Sequence, residues 1–173
     1  HVDPLGHDSA RVLQLAYLNS WFESGLRNPM DEAILAHEHI DVSGWQKIDE
    51  VPFDFERRRV SVLLEKDEQR SLVVKGAPEE IIRLCTQHES DTDSVPMTES
   101  ALEHVRSSYR ALEEKGFRVL AIAHKPVPAD HPHAVVDDES ALVLAGFAAF
   151  LDPPKASAGD ALRALAKLGI PIK

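Results

Sequence analysis

Val60-Ser61-Val62-Leu63-Leu64-Glu65, the polar turn Lys66-Asp67-Glu68-Gln69-Arg70, and the run Leu72-Val73-Val74-Lys75-Gly76-Ala77-Pro78-Glu79 carry the clearest structural signal in this chain. Val60, Val62 and Leu64 alternate with Ser61, Leu63 and Glu65, a polar turn breaks the pattern, and a second apolar run follows: the pattern of a β-hairpin. Lys75-Gly76-Ala77 then interrupts the strand. Pro78 suits the first position of a helix, and Glu79 and Glu80 favour the positive end of its dipole, so the spacing predicts a helix through Leu84. Strand, turn, strand, tight turn and helix therefore follow one another within 25 residues.

Upstream, Leu13, Ala16, Tyr17 and Trp21 form the stripe of an amphipathic helix over residues 8–24, with Asp8 or Ser9 as its cap and Gly25 as its end. A second helix starts near Pro29, with Asp31 and Glu32 in its first turn. The stretch from Trp45 to Phe55 reads as a strand, and Pro52 within it points to an edge or a bend. Downstream, Gln87 to Pro96 reads as a polar loop. Ser100 to Lys115 reads as a helix with Ser100 and Glu103 in a capping box and Leu102, Val105, Tyr109 and Leu112 on its apolar stripe. Phe117 to Lys125 and Leu142 to Phe150 suit buried strands, separated by a loop over residues 126–140 rich in Pro, His and Asp. Helices and strands thus alternate irregularly around one clear hairpin, which predicts an α+β fold, a mixed or antiparallel sheet with helices packed on it. Asp152-Pro153-Pro154-Lys155 reads as a stiff hinge followed by one more helix over residues 157–168, so a boundary is expected there, with residues 1–150 in one domain and 151–173 opening the next.

At 173 residues, 43% hydrophobic and 28% charged, the chain has the composition of an ordinary water-borne domain. No stretch approaches the 18 or so apolar residues a membrane helix needs. The net charge of -10, from 19 Lys and Arg against 29 Asp and Glu, argues against nucleic acid as a partner, because duplex affinity comes mostly from basic side chains displacing counterions. The single Cys85 excludes an internal disulfide framework. The missing initiator Met and the strand-like ending at residues 169–173 read as the ends of a piece of something larger. Walker-type loops, GxGxxG and HExxH are all missing, and the nine histidines show no spacing that implies a metal site.

Two segments place basic residues beside aromatic residues or a helix start. In Pro52-Phe53-Asp54-Phe55-Glu56-Arg57-Arg58-Arg59, three arginines follow two rings, a combination suited to a planar aromatic ligand carrying phosphate, since rings stack on bases and guanidinium groups fork onto phosphate. On composition alone, a solvated charged strand end with core Phe residues is the favoured reading. In Lys75-Gly76-Ala77-Pro78-Glu79 a lysine ends a buried strand just before a helix N-terminus, where anions are favoured, and Gly76 permits close backbone approach to a ligand. Such a turn is also compatible with a purely structural role.

Together these segments resemble the nucleotide-binding domain of P-type cation-transporting ATPases. Lys75-Gly76-Ala77-Pro78-Glu79 is similar to that family's KGAPE signature, Phe53 through Val62 to its adenine-stacking Phe and basic residue, Phe117-Arg118-Val119-Leu120-Ala121 to its G-[FL]-R-x-L-A strand, and Asp152-Pro153-Pro154-Lys155 to its DPP hinge. The segments over residues 26–35 and 45–59 most resemble the bacterial magnesium-transporting branch. The resemblance implies a twisted, mainly antiparallel sheet flanked by helices, with residues 1–150 as the nucleotide-binding domain and residues 151–173 as the hinge and start of the phosphorylation domain.

Carried over residue by residue, it implies that Phe53 stacks on adenine and Asp31 accepts a hydrogen bond from the adenine amine. Lys75 would line the adenine pocket and reach toward the phosphates, and Gly76 would let the base come close. Arg118 would meet the phosphate region, and Arg58 would stand where many relatives have Lys, with Arg57 as the other candidate. The implied cofactors are ATP and magnesium, and the implied partners are ATP and the phosphorylation domain of a parent chain in the bacterial inner membrane. This piece would be a cytoplasmic monomer without nucleic-acid or membrane contact of its own. No catalytic residue and no metal ligand is expected within it, because the DKTGT segment bearing the phosphorylated Asp is not among these residues. It is expected to bind ATP without turning it over. Two other readings remain: the same family transporting calcium or another cation, and a regulatory or interaction module that no longer binds nucleotide.

Overall fold

The computed structural model describes residues 1–25, 27–90 and 93–151. The expected hinge at Asp152, the helix over residues 157–168 and the strand beyond it lie outside the described residues. Helix α1 (Ala10–Phe22) and helix α2 (Pro29–His37) come first, then strands β1 (Gln46–Asp54), β2 (Arg59–Lys66) and β3 (Gln69–Gly76). Helix α3 (Pro78–Leu84), strands β4 (Cys85–Ser90) and β5 (Asp93–Pro96), helix α4 (Glu99–Glu114), and strands β6 (Phe117–Val127) and β7 (Leu142–Leu151) complete the described part, with a single 3-10 turn at Val136–Asp138 before β7.

The seven strands form one sheet in the order β1-β2-β3-β6-β7-β4-β5. Neighbours are antiparallel except for the parallel pair β4 and β7, so the fold is the α+β, mainly antiparallel sheet with flanking helices that was expected. The β2–β3 hairpin runs in unbroken register from Arg59 opposite Gly76 to Lys66 opposite Gln69. Its two-residue tip, Asp67 and Glu68, has φ of 51° and 61°, the left-handed pair that matches the twist of a tight hairpin. Proline-bearing β1 lies at the sheet edge, where a missing N–H donor costs least.

Strand alternation separates two cores. Val62, Leu64, Val73, Ile122 and Ala145 face α1 and α2, packing on Val12, Leu15, Tyr17, Leu18 and Ile34. Leu63, Leu72, Val74, Ala121, Ala123 and Phe147 face α3 and α4, packing on Ile81, Ile82, Val105 and Tyr109. Helix α1 is buried through most of its circumference, from Val12 to Ser20. Trp21, expected on its apolar stripe, is 42% exposed instead, because the stripe turns away from the sheet by the last turn.

Two further expectations change. Gln87 to Pro96, read as a loop, forms most of β4 and all of β5, with Gln87 opposite Pro96 and His88 opposite Val95. These strands lie at the far edge, where only Cys85 and His88 are buried, so they lack the apolar alternation that marks a half-buried strand. The N-cap of α4 is Thr98, whose hydroxyl accepts from Ala101 N at 3.2 Å, one turn fraction ahead of the Ser100 expected for that role. Ser9 does cap α1, accepting from Val12 N at 3.3 Å.

The N-terminal segment pairs with β7 next to Gly146. Val2 exchanges backbone hydrogen bonds of 2.9 and 2.8 Å with Phe147, and a Cβ on Gly146, whose φ is +142°, would stand 2.1 Å from the Val2 carbonyl oxygen. Gly146→Ala should therefore destabilise the domain by roughly 1–3 kcal/mol through overpacking and strain. Thermal unfolding checks this, and an unchanged midpoint would show that the N-terminal segment can move aside.

Candidate functional site

Lys75 points from β3 toward α1 and α2, on the same face as Val60, with which it is paired. The residue is 3% exposed, and its ammonium donates to Asp31 Oδ1, to Ser20 Oγ at 2.8 Å and toward Glu23 Oε2 at 3.5 Å. Three N–H groups thus have three acceptors, and the side chain is directed inward.

Asp31 is built into the start of α2. Asn28 caps that helix, accepting from Met30 N and Asp31 N at 2.8 and 3.2 Å, while Asp31 Oδ2 accepts from Asn28 N at 3.1 Å. The reciprocal pair is a capping box with Pro29 at the first helical position. Oδ1 remains for Lys75 and for Ser20 Oγ, which donates at 3.0 Å. Asp31 is fully buried, and a hydrogen bond with the Glu23 carboxyl joins those from Lys75, Ser20 and Asn28, so its carboxylate is satisfied from within the protein.

The three charges settle at different protonation preferences. Burial would raise Asp31, but the charge and hydrogen bond of Lys75 overcome it and hold this carboxyl below its ordinary value. Glu23, whose side chain is 8% exposed, is pushed by burial from near 4.5 to about 7, with Lys75 opposing and the hydrogen bond and charge of Asp31 assisting. One ammonium therefore compensates one firm carboxylate and one carboxyl that titrates near neutrality.

The three arginines divide. Arg57 Nη1 donates to both oxygens of Glu139 at 2.8 Å, and Arg59 Nε donates to its Oε2 at 2.7 Å. Arg58 is exposed, takes a left-handed φ of 53°, and among the described residues its guanidinium has no hydrogen bond or ion pair. Its carbonyl accepts from Ala77 N at 3.0 Å, so the arginine run and the turn after Lys75 are joined backbone to backbone.

Phe53 sits in a bulge of β1. Val51 is opposite Ser61 and Asp54 opposite Arg59, which leaves Pro52 and Phe53 together against Val60, the partner of Lys75. Phe53 therefore shares a cross-strand row with Lys75, two strand spacings or roughly 10 Å away. Its ring is 53% exposed and meets that of Phe55, itself 89% exposed, edge to face at 5.2 Å and 87°. For Gly76 the structure supplies a reason other than a ligand: a Cβ there would stand 2.5 Å from the Arg58 carbonyl oxygen and from Arg59 Cβ. Arg118 stands apart on β6, three residues from Ala121, the partner of Gly76, roughly 10 Å along the strand. It is exposed and lines a cavity of about 480 Å³ with Pro29, Met30 and Ala33 of α2 and Phe150 of β7.

Asp31 and Lys75 are thus in contact, Arg58 is bonded to the turn beside Gly76, Phe53 shares the row of Lys75, and Arg118 borders the same helix start from across the sheet. Ser20, Glu23 and Glu139 were not anticipated; isolated polar residues on a helix and in a loop carry no spacing that marks them. Among the described residues no group of three or more His, Cys, Asp or Glu side chains could hold a metal ion, and no helix is long and apolar enough to cross a membrane.

The sequence profile of a family described as P-type ATPase, cytoplasmic domain N, matches residues 18–157. The chain is 45% identical over 181 residues to the magnesium-transporting ATPase, P-type 1, of Salmonella typhimurium strain LT2 and 43% identical over 179 residues to that of Escherichia coli K12, each alignment covering all of this chain and 20% of the relative. It is 32% identical over 124 residues to calcium-transporting ATPase 1 of Lactococcus lactis, covering 72% of this chain and 14% of that protein. The chain spans about a fifth of the length of the magnesium-transporting relatives.

The raised Glu23 carboxyl has a pH signature. The folded protein keeps a proton there that the unfolded chain releases near pH 4.5, so this group makes stability fall as pH rises from about 4.5 through 7. The lowered Asp31 carboxyl acts oppositely, its contribution being lost in acid below its ordinary value of 3.8. Thermal midpoints between pH 5 and 8 should decline for wild type and flatten for Glu23→Gln; parallel curves would remove Glu23 as the source.

Proposed function

This chain belongs to the cytoplasmic domain N family of P-type ATPases, and from that premise we propose that it binds ATP on the face shared by Phe53, Lys75 and the start of α2. The observation that carries this reading is the half-exposed Phe53 ring standing in the cross-strand row of the buried Lys75–Asp31 pair. A ring open to solvent costs the free protein apolar exposure and offers a stacking platform worth roughly 1–3 kcal/mol per base. Adenine laid on Phe53 turns its amine edge toward the start of α2, beneath which Asp31 is buried. Lys75 holds Asp31 ionised and oriented beneath the base, and its inward-directed ammonium fits that task better than a phosphate contact. Arg58 and Arg118, both exposed, supply positive charge for the triphosphate, and magnesium arrives coordinated by the phosphates.

The parent protein, on this reading, is a magnesium-transporting ATPase of the bacterial inner membrane. Its domain N, residues 1–150 here, carries the γ-phosphoryl group to an Asp of the neighbouring phosphorylation domain, whose first residues are 151–173. Attack by that carboxylate on phosphorus gives an aspartyl phosphate, with ADP as the leaving group. Positioning by domain closure is the contribution of domain N. The identities of 43–45% with magnesium transporters support that ion, while the likeness to a calcium transporter keeps calcium as the second reading, because the ion path belongs to segments beyond this chain. The chain is proposed to be a cytoplasmic monomer, inactive as an ATPase without the acceptor Asp.

Chemical-shift titration of the domain with ATP tests the site. The wild type should bind with a dissociation constant of roughly 0.1–1 mM, or about 4–5.5 kcal/mol, since a carrier of charge -10 repels polyphosphate at long range. Phe53→Ala should weaken binding about tenfold or more, and Arg58→Ala should weaken ATP while sparing adenosine. A wild type that gives no response at millimolar ATP would favour the regulatory module.

A further inference from the structure

Glu139 lies in the loop between β6 and β7, on the opposite face of the sheet from Lys75. Its side chain is fully buried, and its carboxylate accepts from Arg57 Nη1 at 2.8 Å on both oxygens, from Arg59 Nε at 2.7 Å and from Ser61 Oγ at 2.6 Å. These partners are 78 to 82 residues away in sequence. The same loop is fastened to β1 at a second point, where Ala134 N donates to Asp49 Oδ2 at 2.9 Å.

The contacts of Arg57 connect this buried carboxylate to the β1 bulge. The other end of its guanidinium, Nη2, donates to the Pro52 carbonyl at 2.5 Å, and its backbone N donates to Asp54 Oδ1 at 2.8 Å. Pro52 and Phe53 are the two residues opposed to Val60, so the chain from Glu139 through Arg57 to Pro52 ends on the peptide that aims the Phe53 ring. Arg59, held by the same carboxylate and 7% exposed, fixes the other side of the turn. Between two tethered arginines, Arg58 is left with its guanidinium in solvent and its carbonyl on Ala77. We infer that Glu139 is a positioning residue for nucleotide binding, which sets the orientation of the Phe53 ring through Arg57 and reserves Arg58, out of three consecutive arginines, for the phosphates. The inference rests on the proposed ATP site.

The test compares wild type, Glu139→Gln and Arg57→Gln by nuclear magnetic resonance titration with ATP and with adenosine. Arg57→Gln leaves the buried Arg59–Glu139 pair in place and cuts the links of Arg57 to Glu139 and to Pro52, so it reports on positioning even where Glu139→Gln fails to fold. The expected result is a dissociation constant raised about tenfold for both ligands, or about 1.4 kcal/mol, with a smaller ring-current shift on the adenine H2 and H8 protons at saturation. A purely structural role would lower the thermal midpoint and leave the ring-current shift of the saturated complex unchanged. A wild type that responds to both ligands, matched by a folded Arg57→Gln in affinity and ring-current shift, overturns this inference alone. A wild type that responds to neither overturns the ATP site and this inference with it.

Discussion

A buried ammonium on β3 ties together parts of the chain that would otherwise have no reason to meet. Lys75 reaches Ser20 at the end of α1 and Asp31 in the first turn of α2, 55 and 44 residues away. Burying that charge costs several kcal/mol unless the partners are close and fully hydrogen-bonded. Capping geometry meets the condition: the same Asp31 carboxylate that completes the N-terminus of α2 turns its second oxygen to Lys75. The ion pair joins the start of α2 to the sheet, next to the core packing of Ile34, and the opening lined by Arg118 lies beside that helix start.

The hairpin carries a second clasp on its other face. Lys75 and Val60 are paired on the side of α1 and α2, while Arg59 and Ser61, their neighbours in the register, point the other way toward Glu139. Strand alternation places the two buried charge clusters back to back across the same ladder. Between them runs the backbone bridge from Arg58 to Ala77, which needs Gly76 because a side chain there would collide with Arg58 and Arg59. The rings of Phe53 and Phe55 are thereby left at a rigidly held strand edge, exposed on a molecule that buries its other large aromatic groups more fully.

Legibility in the sequence followed the physics of each element. The hairpin was readable because its strands alternate and its tip admits left-handed φ, and α3 was readable to the residue because Pro78 fixes its start. The edge strand β5 and its neighbour β4 were hidden because they pair through backbone groups with little apolar burial to mark them. The Phe53 and Lys75 segments stood out by their chemistry, but that they belong with Asp31 in one site was readable only through the resemblance to a family, since the three are far apart in the chain. The two clasps themselves were invisible: nothing local distinguishes Glu23 or Glu139 from a solvated glutamate, and the inward direction of Lys75 depends on partners brought by tertiary packing. The roles of the arginines likewise emerged only once Glu139 had claimed two of the three.

The central claim is that a purine lies on the Phe53 ring, with its amine edge toward the start of α2. Nuclear Overhauser contacts from the adenine H2 and H8 protons of bound ATP test it most directly. The account predicts cross-peaks to the ring protons of Phe53 and to side chains of the first turn of α2. A second opening, between α3 and α4, is lined by Ile82, Met97 and Leu102, and cross-peaks confined to it would contradict the Phe53 site.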